Sequence, residues 1–452
     1  MNIVIAGSGK VGTTLALRLS SEGYDITLID SNHRVLEEVC EQCDAMGVQG
    51  NCASMPVLLQ AGISDADLLI AATHDDEVNL LCCTTAHGIN PKLHTIARIR
   101  NPEYSQQIHE LRDVFALSLA VNPEKQAATE IERLLRFPGF LRRDTFAKGR
   151  TAIVELRVEE DSPLRGISLM QMNSIVKCKV LVCAVLRDGT AVIPGGNFVL
   201  EEGDRIFVTA PTGNLSILLK NLGIVTRRVR KVLICGGGRV SRYLAEKLCQ
   251  GNISVSLIER NYDRCTELAA VLPDATIVHG DATDQSLLES QGLTDCDALV
   301  TMTGLDELNM IISLYGTTKA VPQVITKLGR AENRSISDEL ALGSVICPRE
   351  LCCDDIVRYV RAMEKQSGSA ISVHTIADSQ VEAIEFLVDK DTLHCGEMLK
   401  NIKTRSDTLL VSITRGSVTE IPGGDSCFRK GDTVVVVTNG RGKLRQLNDI
   451  FA

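Results

Sequence analysis

The chain carries one pattern twice. Gly7-Ser8-Gly9-Lys10-Val11 returns 229 residues later as Gly236-Gly237-Gly238-Arg239-Val240. Asp30, behind the apolar run 26–29, returns at the same offset as Glu259, behind 255–258. Asp76-Glu77-Val78-Asn79 returns at 230 as Asp306-Glu307-Leu308-Asn309, and Ile193-Pro194-Gly195-Gly196 at 228 as Ile421-Pro422-Gly423-Gly424. Offsets this steady mean a duplicated unit, so any fold that suits one half must suit the other. The 452 residues therefore form two modules of equal size, each long enough for two domains.

In the first module the runs 3–6, 26–29, 68–72, 95–99 and 116–121 are short and apolar, and amphipathic stretches such as 11–19 and 35–43 separate them. Strands alternating with helices, without hairpin turns, predict an α/β architecture with a doubly wound, Rossmann-like parallel sheet. Farther on, 152–158, 180–186 and 205–210 read as strands set apart by Asp188-Gly189 and Gly195-Gly196 turns, with 215–222 as a helix. That texture predicts a small α+β domain. The expected division is 1–123, a first Rossmann-like domain, and 124–225, a crossover helix with the first small domain. Residues 229–350 and 351–452 repeat this, and the basic run Arg227-Arg228-Val229-Arg230-Lys231 reads as the linker.

Composition removes several function classes. A net charge of −9 argues against nucleic acid as a partner. With nine Phe, six Tyr and no Trp, platforms for stacking bases or sugars are scarce. No apolar run approaches the roughly 18 residues that span a bilayer. The chain opens directly into strand-like Asn2-Ile3-Val4-Ile5-Ala6, so no signal peptide is expected. The 16 cysteines are scattered through apolar segments and read as buried thiols. Cys40 and Cys43 form a lone C-x-x-C, open to a metal or redox role or to packing on a helix.

Gly7-x-Gly9-x-x-Gly12 follows a strand and opens a helix. The first glycine permits the tight turn, the second lets a pyrophosphate approach the backbone, and the third lets helix and strand pack closely. With Ser8, Lys10 and Val11 this loop is the first candidate phosphate site, where the helix N-terminus offers free N–H groups. Asp30 ends the next strand, where a carboxylate takes the adenosine ribose diol and repels a 2′-phosphate, favouring NAD over NADP. A glycine turn serving packing alone is the bland alternative. The second loop keeps Gly236, Gly238, Arg239 and Glu259 but has Ser241 where the third glycine stood, which predicts either an altered nucleotide site or a lost one.

Arg98 and Lys327 end equivalent later strands, and Arg100 follows closely. Such side chains face the ligand crevice of a parallel sheet, as a phosphate clamp or as ordinary surface charge. Asn51 and Cys52, with Asp281 and Ala282 in the second copy, follow the third strands, where the adenine is contacted. Thr73 and Thr303 follow the fourth strands and are further candidate cofactor contacts, which could also cap helices whose first-turn acids, Asp75-Asp76-Glu77 and Asp306-Glu307, complement the helix dipole.

Glycine loop, strand-end acid, Asp-Glu-x-Asn helix, Arg98 near Asn101-Pro102-Glu103-Tyr104, and a small domain with Pro-Gly-Gly and Gly-Asp turns together resemble an RCK (KTN) module. Two modules without a membrane span are similar to the peripheral regulatory subunits of bacterial Trk potassium-uptake systems. The resemblance implies binding of NAD(H) and of ATP/ADP, and a homotetrameric ring on the cytoplasmic face of the membrane. It also implies a TrkH/TrkG-like potassium-translocating partner and no catalytic or metal residues. Different nucleotides would favour different angles between modules and so move the partner's gate.

The rival from another class is an NAD-dependent oxidoreductase with duplicated Rossmann domains. It needs an acid or base beside the nicotinamide. Residues 151–222 hold no histidine or tyrosine, while His374 and His394 in the second copy, like His74, His87 and His94, lack a motif. A nucleotide sensor with some other partner is the third reading.

Overall fold

The computed structural model describes residues 1–108, 110–136, 140–224, 228–330, 340, 342–363, 370–378, 380–439, 444 and 446–451; Arg227 of the basic run lies outside them. The chain divides into two compact units, residues 1–129 with 347–357, and residues 130–346 with 358–452.

The first unit holds a six-stranded parallel sheet of β1 (Asn2–Ala6), β2 (Asp25–Asp30), β3 (Ala45–Gln49), β4 (Leu68–Ala71), β5 (His94–Arg98) and β6 (Leu119–Val121), in the order β3-β2-β1-β4-β5-β6. The order reverses between β1 and β4, and a crevice at such a switch point is where doubly wound sheets take ligands. β4 is buried along its whole length and β1 everywhere but its first residue, which explains their unbroken apolar runs. Helix Lys10–Ser21 buries Val11, Leu15, Ala16 and Leu19, one face at helical spacing. The last strand is shorter than the expected 116–121 because Ala116 turns left-handed, with φ 52°. The expected helix 35–43 runs instead over His33–Cys40, since the Asn32 side chain accepts the N–H groups of Arg34 and Val35 and starts it earlier.

Residues 347–357, which include the first turns of helix Pro348–Met363, belong to this unit. There Asp354 pairs with Arg18 at 2.5 Å, and the Cys353 thiol faces the Val11 carbonyl at 3.8 Å.

The second unit holds three sheets. Antiparallel β7 (Arg142–Phe146), β8 (Thr151–Arg157), β9 (Leu181–Arg187), β10 (Thr190–Val192) and β11 (Arg205–Pro211) run β10-β9-β11-β8-β7. Parallel β12 (Lys231–Cys235), β13 (Ser254–Glu259), β14 (Thr276–His279), β15 (Ala298–Thr301), β16 (Gln323–Lys327) and β17 (Ser344–Ile346) repeat the first unit's order as β14-β13-β12-β15-β16-β17. Antiparallel β18 (Ala370–Ile376), β19 (Val381–Leu387), β20 (Thr408–Arg415), β21 (Val418–Glu420) and β22 (Thr433–Asn439) run β18-β19-β22-β20-β21, the topology of the first small sheet again.

The small sheets share one core, in which Phe146, Ile153 and Phe207 meet Ile376, Val411 and Val435. Ion pairs run through it. Arg205 reaches Glu155 at 2.5 Å and Asp378 at 3.0 Å, and Asp144 lies between Arg142 at 2.9 Å and His374 at 3.0 Å. Among the described residues, no helix is long and apolar enough to cross a membrane.

Candidate functional site

Each parallel sheet ends in the same glycine geometry. Gly7 has φ +101°, and a Cβ on it would lie 2.9 Å from the Thr73 amide nitrogen; Gly236 has φ +103°, with the Met302 carbonyl oxygen at 2.8 Å. Glycine is required by conformation and by space at both. Gly9 and Gly238 face open space, so a phosphate could approach the backbone there.

The strand-end acids hold these loops. Asp30 accepts the N–H of Ser8 at 2.6 Å and of Asn32 at 2.9 Å, while Glu259 accepts those of Gly237 at 2.6 Å and Asn261 at 2.7 Å.

The third position separates the copies. A Cβ on Gly12 would stand 1.8 Å from the Gly7 carbonyl oxygen. Its counterpart Ser241 is fully buried, and its hydroxyl donates to the Gly236 carbonyl. The serine is thus absorbed by a bond within the loop. Beside it opens a cleft of about 540 Å³, lined by Gly236, Gly237, Gly238, Glu259, Asn261, Asp263, Arg264, Glu267, Met302, Thr303, Gly304 and Lys327.

Arg98 and Lys327 make the same contact in their own sheets. Arg98 donates to the Thr73 carbonyl, and Lys327 Nζ donates to the Thr303 carbonyl at 2.7 Å. Burial, and then the neighbouring Arg100, lower the pKa of Arg98. Arg98 Nε is buried without a hydrogen-bond partner. Arg100 donates to the His74 carbonyl.

Thr73 and Thr303 do not cap helices. The helices Asp76–Ile89 and Asp306–Thr318 have Asp75 and Leu305 as N-cap residues, neither with a side-chain cap. The threonine hydroxyls instead donate to Asn79 Oδ1 at 2.7 Å and Asn309 Oδ1 at 2.8 Å. The helix acids likewise serve the crevice rim. Asp76 accepts the N–H groups of Arg100 and Asn101, both at 2.7 Å, and Asp306 those of Gly329 at 2.7 Å and Arg330 at 3.0 Å. The Asp-Glu-x-Asn motif therefore clasps the ends of two neighbouring strands, a longer-range task than dipole complementation.

Of the expected first-site residues, Gly7, Ser8, Gly9, Asp30, Thr73, Arg98 and Arg100 gather at the rim of one sheet. Val11 and Gly12 are packed inside the helix face and Lys10 is exposed. Asn51 turns back to accept the Ala53 N–H at 3.0 Å, and Cys52 is buried, a free thiol hydrogen-bonded to that of Cys82. In the second copy Gly236, Gly238, Glu259, Thr303 and Lys327 line the cleft, whereas Arg239, Asp281 and Ala282 are not among its lining residues. Asp281 folds onto Thr283, whose backbone and hydroxyl bonds lower its pKa. Sequence reading missed Gly237, Asn261, Asp263, Arg264, Glu267, Met302 and Gly304; only the closeness of Asn261 and Arg264 to Glu259 hinted at two of them.

A duplicated 3-2-1-4-5-6 sheet with glycine turn and strand-end acid, each followed by a five-stranded antiparallel sheet, defines a tandem nucleotide-fold protein of RCK architecture. The family model described as the TrkA-N domain matches residues 3–122 and 232–348, and that of the TrkA-C domain matches 153–223. The chain belongs to the TrkA family. It is similar to the "Trk system potassium uptake protein TrkA" of Halomonas elongata, 30% identical over 456 residues that cover 100% of this chain and 98% of that one. Its fold is similar to the GsuK RCK domain, with TM-score 0.62 and 16% identity over 98% of this chain and 93% of that one. It also matches the GsuK channel bound to NAD, with TM-score 0.61 and 18% identity over 98% of this chain and 77% of that one. None of these three names is that of an enzyme.

Proposed function

We propose that this chain is the nucleotide-sensing regulatory subunit of a Trk-type potassium uptake system. Its two crevices hold NAD(H) or ATP/ADP, and its partner is a TrkH/TrkG-like membrane subunit docked on a homotetrameric ring at the cytoplasmic face. The proposed contacts are Gly7, Ser8, Gly9, Lys10, Asp30 and Arg98 in the first module and Gly236, Gly238, Glu259, Thr303 and Lys327 in the second. The division at 1–123, 124–225, 229–350 and 351–452 belongs to the same proposal. The observation that carries the reading is the open cleft beside Gly238, with a strand-end carboxylate on one wall and Lys327 on another.

The chemistry is recognition. Loop amides at Gly9 and Gly238 take phosphate oxygens, and Asp30 and Glu259 take ribose hydroxyls. Those carboxylates already bond loop N–H groups, so a ribose that competes for them changes how tightly each loop is tied. A ligand shifts the ring only by its difference in affinity for two states, a factor of ten for each ~1.4 kcal/mol. The relative's role in potassium uptake supports the transport reading, and the GsuK channel bound to NAD supports the ligand class.

Calorimetric titration of the full chain with NAD, NADH, ATP and ADP tests the first half of this proposal, and potassium flux through the membrane subunit, with and without the chain, tests the second. Binding that weakens about tenfold in Glu259→Gln supports it. Failure of all four nucleotides to bind, or sustained NADH turnover with an added oxidant, would overturn it.

A further inference from the structure

We propose that Arg264 is the adenine-stacking residue of the second crevice, giving that crevice a grip on adenine nucleotides that the first module does not share. The inference rests on reading the cleft as a nucleotide site.

Arg264 sits in the first turn of helix Tyr262–Val271, where its N–H donates to the Asn261 side chain at 3.0 Å. Its guanidinium is held at two points. Nε donates to the Gly237 carbonyl at 2.8 Å, and Nη1 donates to Glu267 Oε2 at 2.8 Å. Two bonds to separate nitrogens fix the plane of the group, which lines the cleft. A guanidinium fixed in plane by its edges still offers its flat face, and that face stacks well on an aromatic ring.

The position suits a base. Gly237 gives its N–H to Glu259 and accepts from Arg264 at its carbonyl, so one residue ties the strand-end acid and the guanidinium to the same turn of the loop. A carboxylate at this strand end addresses the ribose of the adenosine half. The base on that ribose then extends over the residues just after the acid, which are 260–264. An arginine near this acid can instead pair with a 2′-phosphate. Here Glu259 and Glu267 both stand in the wall, and Glu267 already takes Nη1, so a phosphate would meet two carboxylates. At the 229-residue offset the first module has Val35, which offers no planar cation.

Hydrogen exchange read separately at the two glycine loops of the full chain tests the assignment, with ADP and nicotinamide mononucleotide as probes. The second probe carries ribose and phosphate but no adenine. In Arg264→Val, the ADP concentration that half-protects residues 236–241 should rise about tenfold, with residues 7–12 unchanged as the internal control. Arg264→Lys, which keeps the charge and loses the plane, should show a similar loss. The mononucleotide should bind both variants as it binds the native chain. An unchanged half-point for ADP in Arg264→Val, full rescue by lysine, or equal loss for the mononucleotide would each overturn stacking. So would tighter binding of NADP than NAD that Arg264→Val abolishes. If no nucleotide protects 236–241 in the native chain, the cleft is not a nucleotide site and both readings fall; protection indifferent to residue 264 removes stacking alone.

Discussion

Asn309 Nδ2 donates to the carbonyl of Lys327 at 2.9 Å, while its Oδ1 accepts both the N–H and the hydroxyl of Thr303, each at 2.8 Å. Asn79 repeats this between Thr73 and Arg98, and both asparagines are fully buried. One amide thus joins two strand ends at the rim of each crevice. Since buried groups left unpaired cost about 1–3 kcal/mol, Asn309→Ala should loosen this rim by that amount. Amide exchange at Thr303 and over 327–330 should quicken by about five- to 150-fold, and exchange unchanged there would contradict the clasp.

The two glycine loops should respond differently to a methyl group. Gly12→Ala puts a Cβ 1.8 Å from a backbone oxygen, which forces the loop to shift and should cost on the order of 3 kcal/mol. Ser241→Ala keeps a Cβ already accommodated and loses one bond to Gly236, about 1 kcal/mol. Thermal unfolding should rank Gly12→Ala clearly below Ser241→Ala.

Acid should open the layer between the small sheets. Burial pushes the Asp144 carboxyl upward, but Arg142 and a hydrogen bond from His374 outweigh it and hold the pKa below the usual carboxylate range. A carboxylate lowered on folding contributes stability that is full above its unfolded pKa, about 3.9, and is lost as pH falls through the folded value. Amides of β7 and β18 should therefore lose protection below about pH 4. Asp144→Asn should flatten that dependence while costing on the order of 3 kcal/mol at pH 7, because Arg142 loses its buried partner.

Thiol chemistry should be selective. Burial pushes Cys83, Cys183, Cys235 and Cys353 up to about 12, whereas Cys395 is exposed. Iodoacetamide at pH 8 should label Cys395 in the native chain and leave those four untouched until denaturant is added. Early labelling of Cys83 or Cys353 would contradict the packing described.

What the sequence disclosed is what backbone geometry enforces. Gly7, Gly12 and Gly236 stand where a side chain would collide, and Asp30 and Glu259 end strands whose register is set by burial, so their spacing is visible along the chain. Asn79 and Asp76 were visible as a repeated motif, but their partners lie about 20 residues on, and a first-turn acid reads as a helix cap until those partners are seen. Arg264 gave little signal, because its contact with Gly237 joins residues 27 apart. β7 reads Arg-Arg-Asp-Thr-Phe, which shows no apolar alternation; its charged residues are half-buried, with Asp144 set against His374 from the other small sheet. Helix Leu169–Val176 was also unforeseen, although Ser168 and Gln171 form the capping box that starts it.

The first unit takes residues 347–357 from far along the chain. On a ribosome its opening 129 residues would emerge early, yet Arg18 would wait for Asp354 until more than three quarters of the polypeptide had been made. Translation therefore delivers the leading nucleotide fold incomplete, and a gene fragment stopping before residue 347 would leave it so permanently.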